Sequence, residues 1–161
     1  MEIPMPTFAN VMRQRRVLAE FFPKIIHAQT ADEQDDLFYQ TKTTFLRHMA
    51  NEEDVFYKML GLKIRALKDK VADAKNGHDE IRKYLELLGR KDLSYEEWML
   101  TLGELKHSIF CHIKVEEDLF KQVKKNLKDR EISNLIKKLE ETEEKIFEHL
   151  PASWRLGAGA R

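Results

Sequence analysis

Proline placement is the feature that most constrains the fold of this chain. The four prolines are Pro4, Pro6, Pro23 and Pro151, so no proline interrupts residues 24–150. Proline breaks the interior of a helix, because it removes a backbone donor and clashes with the preceding turn. The same stretch is rich in Leu, Lys, Glu and Ala, which favour helix, and has few alternating β-branched runs. We therefore predict an all-α fold.

Helix start and stop signals divide the chain into five predicted helices. Two of them open with capping boxes, Thr30 to Glu33 and Ser94 to Glu97, in which the two side chains satisfy free amide groups. The predicted helices span about residues 7–27, 30–61, 63–88, 94–127 and 129–149. Short connections predict an up-down antiparallel four-helix bundle with an additional C-terminal helix. We expect residues 1–150 to form this one domain and residues 151–161 to be a disordered tail.

Charge and cysteine content argue against several classes of function. The 28 Lys and Arg residues balance 28 Asp and Glu residues, which is not typical of a protein that binds nucleic acid or a membrane surface. The sequence contains no run of about 18 apolar residues, so no membrane span is predicted. The N-terminal residues do not resemble a signal peptide. The single cysteine, Cys111, excludes an intramolecular disulfide and suits a reducing compartment. We expect a cytoplasmic protein.

Polar residues interrupt the apolar stripes of the first four predicted helices. On each stripe apolar residues recur every three or four positions, as expected for a core-facing surface. The interrupting residues are Gln14, His48, Glu52, His78, His112 and Glu116. A lone His on such a stripe is more often a hydrogen-bonded core residue than a ligand. Buried carboxylates are different, because each costs several kcal/mol without a partner, and no Lys or Arg lies on these stripes. A bound cation would balance their charge.

Part of this pattern is repeated. The segment HMANEEDVF at residues 48–56 recurs as HIKVEEDLF at residues 112–120, with five of nine positions identical. The spacing places each His one turn from the first Glu on one helix face, so both side chains can reach one metal centre. A single His-x-x-x-Glu motif is weak evidence, whereas two copies with the same flank on two helices are strong evidence.

These two segments resemble the second- and fourth-helix motifs of the hemerythrin-like, or HHE cation-binding, family. The sequence GHDEIRKYL around His78 resembles the third-helix motif of that family, and the resemblance covers about residues 8–127. It implies a di-iron centre inside a helical bundle. By this resemblance His78 and His112 would hold one iron and His48 the other, while Glu52 and Glu116 would bridge the two.

The sequence departs from the family pattern at two positions. Gln14 stands where the family has a first-helix histidine, and Ala74 stands where its oxygen carriers have a second third-helix histidine. Gln14 can offer a carbonyl oxygen, which is a weaker ligand than imidazole, so we expect the iron beside His48 to be labile or to have open positions. Glu117 is an alternative to Glu116, because other family members place this carboxylate one residue further along.

The resemblance implies a non-haem di-iron protein that binds O2, NO or peroxide, or senses iron, oxygen or redox state. Imidazole and carboxylate ligands also suit Zn or Mn, so neither is excluded. The expected partners are metal ions and small diatomic or peroxide ligands, with no nucleic acid and no membrane. Two alternatives are open: a di-iron enzyme that reduces peroxide or NO or donates iron for cluster repair, and a metal-free interaction bundle. The aromatic residues predicted to exclude water from the centre are Phe45, Phe56, Phe110 and Phe120.

Overall fold

The computed structural model describes residues 20–148. Within that range 89% of residues are helical and no strand is present, which confirms the all-α prediction. The elements are α1 (Phe21–Ile26), α2 (Ala31–Asn51), a π-helical segment (Glu52–Tyr57), α3 (Lys58–Lys63), a 3₁₀ turn (Arg65–Leu67), α4 (Lys68–Leu88), α5 (Tyr95–Asn126) and α6 (Asp129–Glu148). None of the helices in the described range combines the length and apolarity needed to cross a bilayer.

The helix order agrees with the sequence analysis. α2, the π segment and α3 follow one another without a break, so residues 20–148 contain five helical rods, as predicted. The first predicted helix is described only from residue 20, and Gln14 lies outside the described residues, as do residues 151–161.

Both predicted capping residues begin their helices. The Thr30 Oγ1 accepts a hydrogen bond from the Glu33 amide at 3.1 Å, and the Ser94 Oγ accepts one from the Glu97 amide at 3.1 Å. The Glu33 carboxylate accepts from the Gln29 amide rather than from that of Thr30. A lost N-cap costs about 1 kcal/mol, so these residues define where the long rods α2 and α5 start.

The core lies between the rods, and α4 and α5 form the most extensive helix pair in it. Leu85 on α4 and Leu105 on α5 are fully buried, and Met49 on α2 is almost so. Each such side chain contributes about 1.5–3 kcal/mol when removed from water. The Trp98 indole N–H donates to the Leu88 carbonyl at 3.0 Å and ties the start of α5 to the end of α4. The same interior contains buried His and Glu side chains.

The π segment changes which residues of the second rod face the core. An α-helical stripe through Glu52 predicts Val55 and Met59 at core positions, but both are only partly buried. Tyr57 and Leu60 are buried instead, whereas Phe56, four residues after Glu52, is at a core position in either pattern. A π-helical turn uses i to i+5 hydrogen bonds and accommodates an additional residue, so positions after Glu52 are rotated relative to the α-helical expectation.

Three of the four aromatic residues predicted to exclude water from the centre are buried, and the exclusion of water itself stays a prediction. Phe45, Phe56 and Phe120 are buried, whereas Phe110 is 45% exposed. Phe110 lies two positions before His112 on α5. Residues two apart on a helix point in nearly opposite directions, so a buried His112 requires an outward-facing Phe110.

Candidate metal centre

Four buried side chains from three elements bring potential metal ligands together. Glu52 comes from the π segment, His78 from α4, and His112 and Glu116 from α5. One donor atom of each lies within 4.8 Å of a donor atom of all the others. Their side chains are at most 7% exposed. The structure therefore brings together four of the six residues singled out from the sequence.

The distances in this group fit a shared cation. The Nε2 of His78 lies 3.6 Å from Oε1 of Glu52, and the Nε2 of His112 lies 3.4 Å from Oε1 of Glu116. Two donors each ~2.1 Å from one cation would be ~3.0 Å apart in octahedral and ~3.4 Å apart in tetrahedral coordination. Within each of the two His–Glu pairs the observed distance is close to the tetrahedral value, and across the whole group the donor atoms lie within 4.8 Å of one another.

The four donors surround a small cavity. Its volume is about 20 Å³, and a cavity needs about 10–15 Å³ to admit one water molecule. Among the described residues that line it, none is Lys or Arg, and the remaining walls are mainly apolar side chains such as Phe45 and Ile109. Two ionised carboxylates in such surroundings are costly unless a positive charge balances them. A metal cation with imidazole and carboxylate ligands meets that requirement.

His48 joins the group through Glu52. Its Nε2 lies 2.7 Å from Oε1 of Glu52, and its side chain lines the same cavity. The same Glu52 oxygen therefore lies between imidazoles of two helices, those of His48 and His78. Glu117, the alternative to Glu116, is only half-buried and is not one of the four clustered residues.

Glu53 contacts the other side of the His78 ring. Its Oε2 lies 3.0 Å from Nδ1 of His78 and accepts a hydrogen bond from Arg82, and Lys75 lies 3.7 Å from its Oε1. Burial raises the pKa of Glu53, but the hydrogen bonds and charges of His78 and Arg82 outweigh burial and lower it from 4.5 to about 2. Burial lowers the pKa of His78, whereas its contacts with Glu52 and Glu53 raise it above its usual value.

The ring of His112 packs directly on a glycine. A Cβ atom added to Gly77 would lie 2.6 Å from Nδ1 of His112, well inside van der Waals contact. This Nδ1 is buried and has no hydrogen-bond partner among the described residues. The ring of His78, one residue after Gly77, lies 4.4 Å from that of His112 between centroids. Gly77 thus makes room for one of the three imidazoles that line the cavity.

Tyr57 brings a phenol into the same group. Its hydroxyl donates a hydrogen bond to Oε2 of Glu116 at 3.1 Å and lies 3.4 Å from the Nε2 atoms of both His78 and His112. Its ring stacks on that of His78 with 5.2 Å between centroids. Tyr57 is five residues after Glu52, so an α-helical pattern does not place the two on one face, whereas a π-helical turn does.

We expect Tyr57→Phe to destabilise the metal-free protein by about 1.5 kcal/mol, because a buried carboxylate loses a hydrogen-bond donor. Urea unfolding of the metal-free protein measures the effect. Tyr39→Phe is the matched control, since Tyr39 is 67% exposed, and such surface changes stay within about 0.5 kcal/mol. Equal effects of the two variants would show that the Tyr57 hydroxyl contributes nothing to stability.

Sequence reasoning missed Glu53, Tyr57 and Gly77. Glu53 carries a signal, because the repeated motif contains a second Glu, but the sequence does not indicate which histidine it contacts. Gly77 also carries one, since a glycine inside a helix is unfavourable and indicates close packing. The sequence does not indicate that Tyr57 is near the donor group, because its position there depends on the π segment.

A family model supports the interpretation of this site. The model of the hemerythrin HHE cation binding domain matches residues 7–123, a span that includes the four clustered residues and His48. No curated protein and no solved structure shows a significant match to the chain.

Proposed function

Because the chain belongs to the hemerythrin HHE cation-binding family, we propose that it is a non-haem di-iron protein that binds O2, NO or peroxide, or senses iron, oxygen or redox state. The observation that carries the proposal is the buried group of two imidazoles and two carboxylates around a small cavity. A metal-binding function follows from the family and this donor set together, while iron and the small ligands are our proposal.

We propose that His78 and His112 hold one iron, that His48 holds the other, and that Glu52 and Glu116 bridge the two. The position of one Glu52 oxygen between the imidazoles of His48 and His78 supports this assignment. When bound, iron supplies redox chemistry and open coordination positions for small ligands. Zn or Mn would suit the same donors.

The two proposed metal positions should differ in their affinity for iron. The donors of one position all come from described residues and lie within 4.8 Å of one another. The position beside His48 depends in addition on Gln14, whose amide oxygen is a weaker donor than imidazole. We therefore propose one tightly held and one labile iron, with the labile one as the position at which exogenous ligands bind.

The residues around the donors would exclude bulk water and orient a small ligand. Apolar side chains, including Phe45, Ile81 and Ile109, form most of the remaining cavity wall. The hydroxyl of Tyr57 holds a proton at the edge of the donor group, 3.4 Å from two imidazole nitrogens. It is therefore placed to donate a hydrogen bond within the centre.

Metal content tests the proposal directly. At equilibrium with excess Fe(II) under anaerobic conditions, measured by dialysis and elemental analysis, we expect two irons per chain, and His48→Ala should reduce the number to one. His107→Ala is the matched control, because His107 is exposed on the same helix as His112, and it should leave the number unchanged. If wild type retains no more metal than a His112→Ala/Glu116→Ala variant, the proposal of a metal centre is wrong and the bundle is an interaction module.

Addition of NO or O2 to the reduced, iron-loaded protein should change its visible spectrum.

We also propose that residues 1–150 form a single bundle domain and that the protein is cytoplasmic. Cys111 is an exposed free cysteine, and free thiols persist in reducing compartments.

A further inference from the structure

We propose that Glu53 is a positioning residue for the metal centre, which accepts the Nδ1 hydrogen of His78 and thereby directs the Nε2 lone pair of that imidazole into the cavity. This inference rests on the proposed metal-binding function. It concerns the second glutamate of the first repeated motif, which contributes no ligand atom to the cluster of four.

The two nitrogens of His78 have different surroundings. Nδ1 lies 3.0 Å from Oε2 of Glu53. Nε2 lies at the donor group, 3.6 Å from Oε1 of Glu52 and 3.4 Å from the hydroxyl of Tyr57. A neutral imidazole has one N–H and one lone pair. If Glu53 accepts the N–H at Nδ1, the lone pair is at Nε2, where a cation would bind.

Arg82 and Lys75 keep Glu53 available as an acceptor. Arg82 donates to the same Oε2 that contacts His78, and it also donates to Asp79 at 3.0 Å. Lys75 lies 3.7 Å from the other oxygen of Glu53. The Arg82 guanidinium and the Lys75 ammonium have only donor hydrogens, so the Glu53 oxygens that they approach are oriented as acceptors, as Oε2 also is toward the imidazole N–H. The carboxylate is also held in place from three directions.

The second motif does not repeat this arrangement. Glu117 is the counterpart of Glu53 in the repeated segment, but Nδ1 of His112 faces Gly77 and has no hydrogen-bond partner among the described residues. Glu53 instead reaches from the π segment to a histidine of α4, a different helix. His78 therefore has a carboxylate acceptor at Nδ1, which His112 does not have among the described residues. Glu117 provides a matched control of the same residue type and motif position.

The experiment measures Zn(II) affinity of the full chain by competition with a chromophoric chelator. We expect Glu53→Leu to weaken binding by about 10–100-fold, the usual effect of losing such a contact. Glu53→Gln should weaken it less, because its amide oxygen can still accept the hydrogen. Glu117→Gln should leave the affinity within about twofold of wild type. Equal affinities for all variants, or an equal loss for Glu117→Gln and Glu53→Leu, would overturn the assignment.

A second measurement does not depend on metal. Long-range ¹H–¹⁵N NMR of the histidine rings should show a slowly exchanging Nδ1 proton on His78 in wild type and in Glu53→Gln, and its loss in Glu53→Leu. If wild type binds no Zn(II) but shows this pattern, the proposed function fails while the Glu53 contact stands. If wild type binds Zn(II) and Glu53→Leu keeps the Nδ1 proton, the inference on Glu53 fails alone. Should Glu53→Leu not fold, the comparison of Glu53→Gln with Glu117→Gln decides.

Discussion

Loading the wild-type protein with Zn(II) or Fe(II) should raise its free energy of unfolding by about 4 kcal/mol when free metal is a thousand times the dissociation constant. The proposed ligands come from the π segment, α4 and α5, so the unfolded chain would have no preformed site and binding would stabilise the folded state. Bound cations also balance the charge of Glu52 and Glu116 in an interior without Lys or Arg among the described lining residues. Urea unfolding with and without metal, under anaerobic conditions for Fe(II), measures the gain.

Glu52→Gln is the informative variant for this experiment. It keeps the shape of the side chain but removes the negative charge of one proposed ligand. A dissociation constant about a hundred times larger would reduce the metal-induced gain in unfolding free energy to about 1.4 kcal/mol at the same metal concentration. His107→Ala, which removes an exposed imidazole, should retain the full gain. If Glu52→Gln is stabilised by metal as much as wild type, the cation binds elsewhere on the protein.

The location of the helices and of the donor group could be predicted because both depend on local rules. A long segment without proline, two N-caps and a three-four apolar repeat define where helices run. The i, i+4 spacing of His112 and Glu116 places them on one face of α5 in any α-helical arrangement. His78 could be added because it interrupts the stripe of a neighbouring helix.

The contacts between helices could not be predicted in the same way. Which nitrogen of His78 meets Glu53 depends on the rotation of α4 relative to the π segment, and an apolar stripe tolerates a range of such rotations. The π segment itself shifts the buried positions from Val55 and Met59 to Tyr57 and Leu60. The phenol of Tyr57 reaches the donor group for that reason, and periodicity calculated for an α-helix misses it.

Gly77→Ala should lower both stability and metal affinity, although alanine is the better helix former. The substitution gains up to about 1 kcal/mol from helix propensity. Its Cβ, however, would lie 2.6 Å from Nδ1 of His112, and overpacking of a buried site typically costs about 1–3 kcal/mol. The His112 ring has little freedom to move, since it is buried with its centroid 4.4 Å from that of His78. We expect a net destabilisation, and at least about a tenfold loss of Zn(II) affinity when displacement of the His112 ring costs about 1.4 kcal/mol of binding free energy.

Gly103→Ala provides the control that separates these effects. Gly103 lies inside α5, has no positive φ, and a Cβ added there meets nothing within 4 Å. Gly103→Ala should therefore stabilise the protein by about 0.5–1 kcal/mol and leave metal affinity unchanged. Urea unfolding and chelator competition give the change in unfolding free energy and in Zn(II) affinity for each variant. Only a clash at His112 predicts that Gly77→Ala lowers the unfolding free energy while Gly103→Ala raises it. If Gly77→Ala stabilises the protein and binds metal like wild type, His112 does not need the space at Gly77. If Gly77→Ala instead lowers both stability and metal affinity, a glycine that is unfavourable for helix α4 is needed where the His112 imidazole approaches the helix backbone.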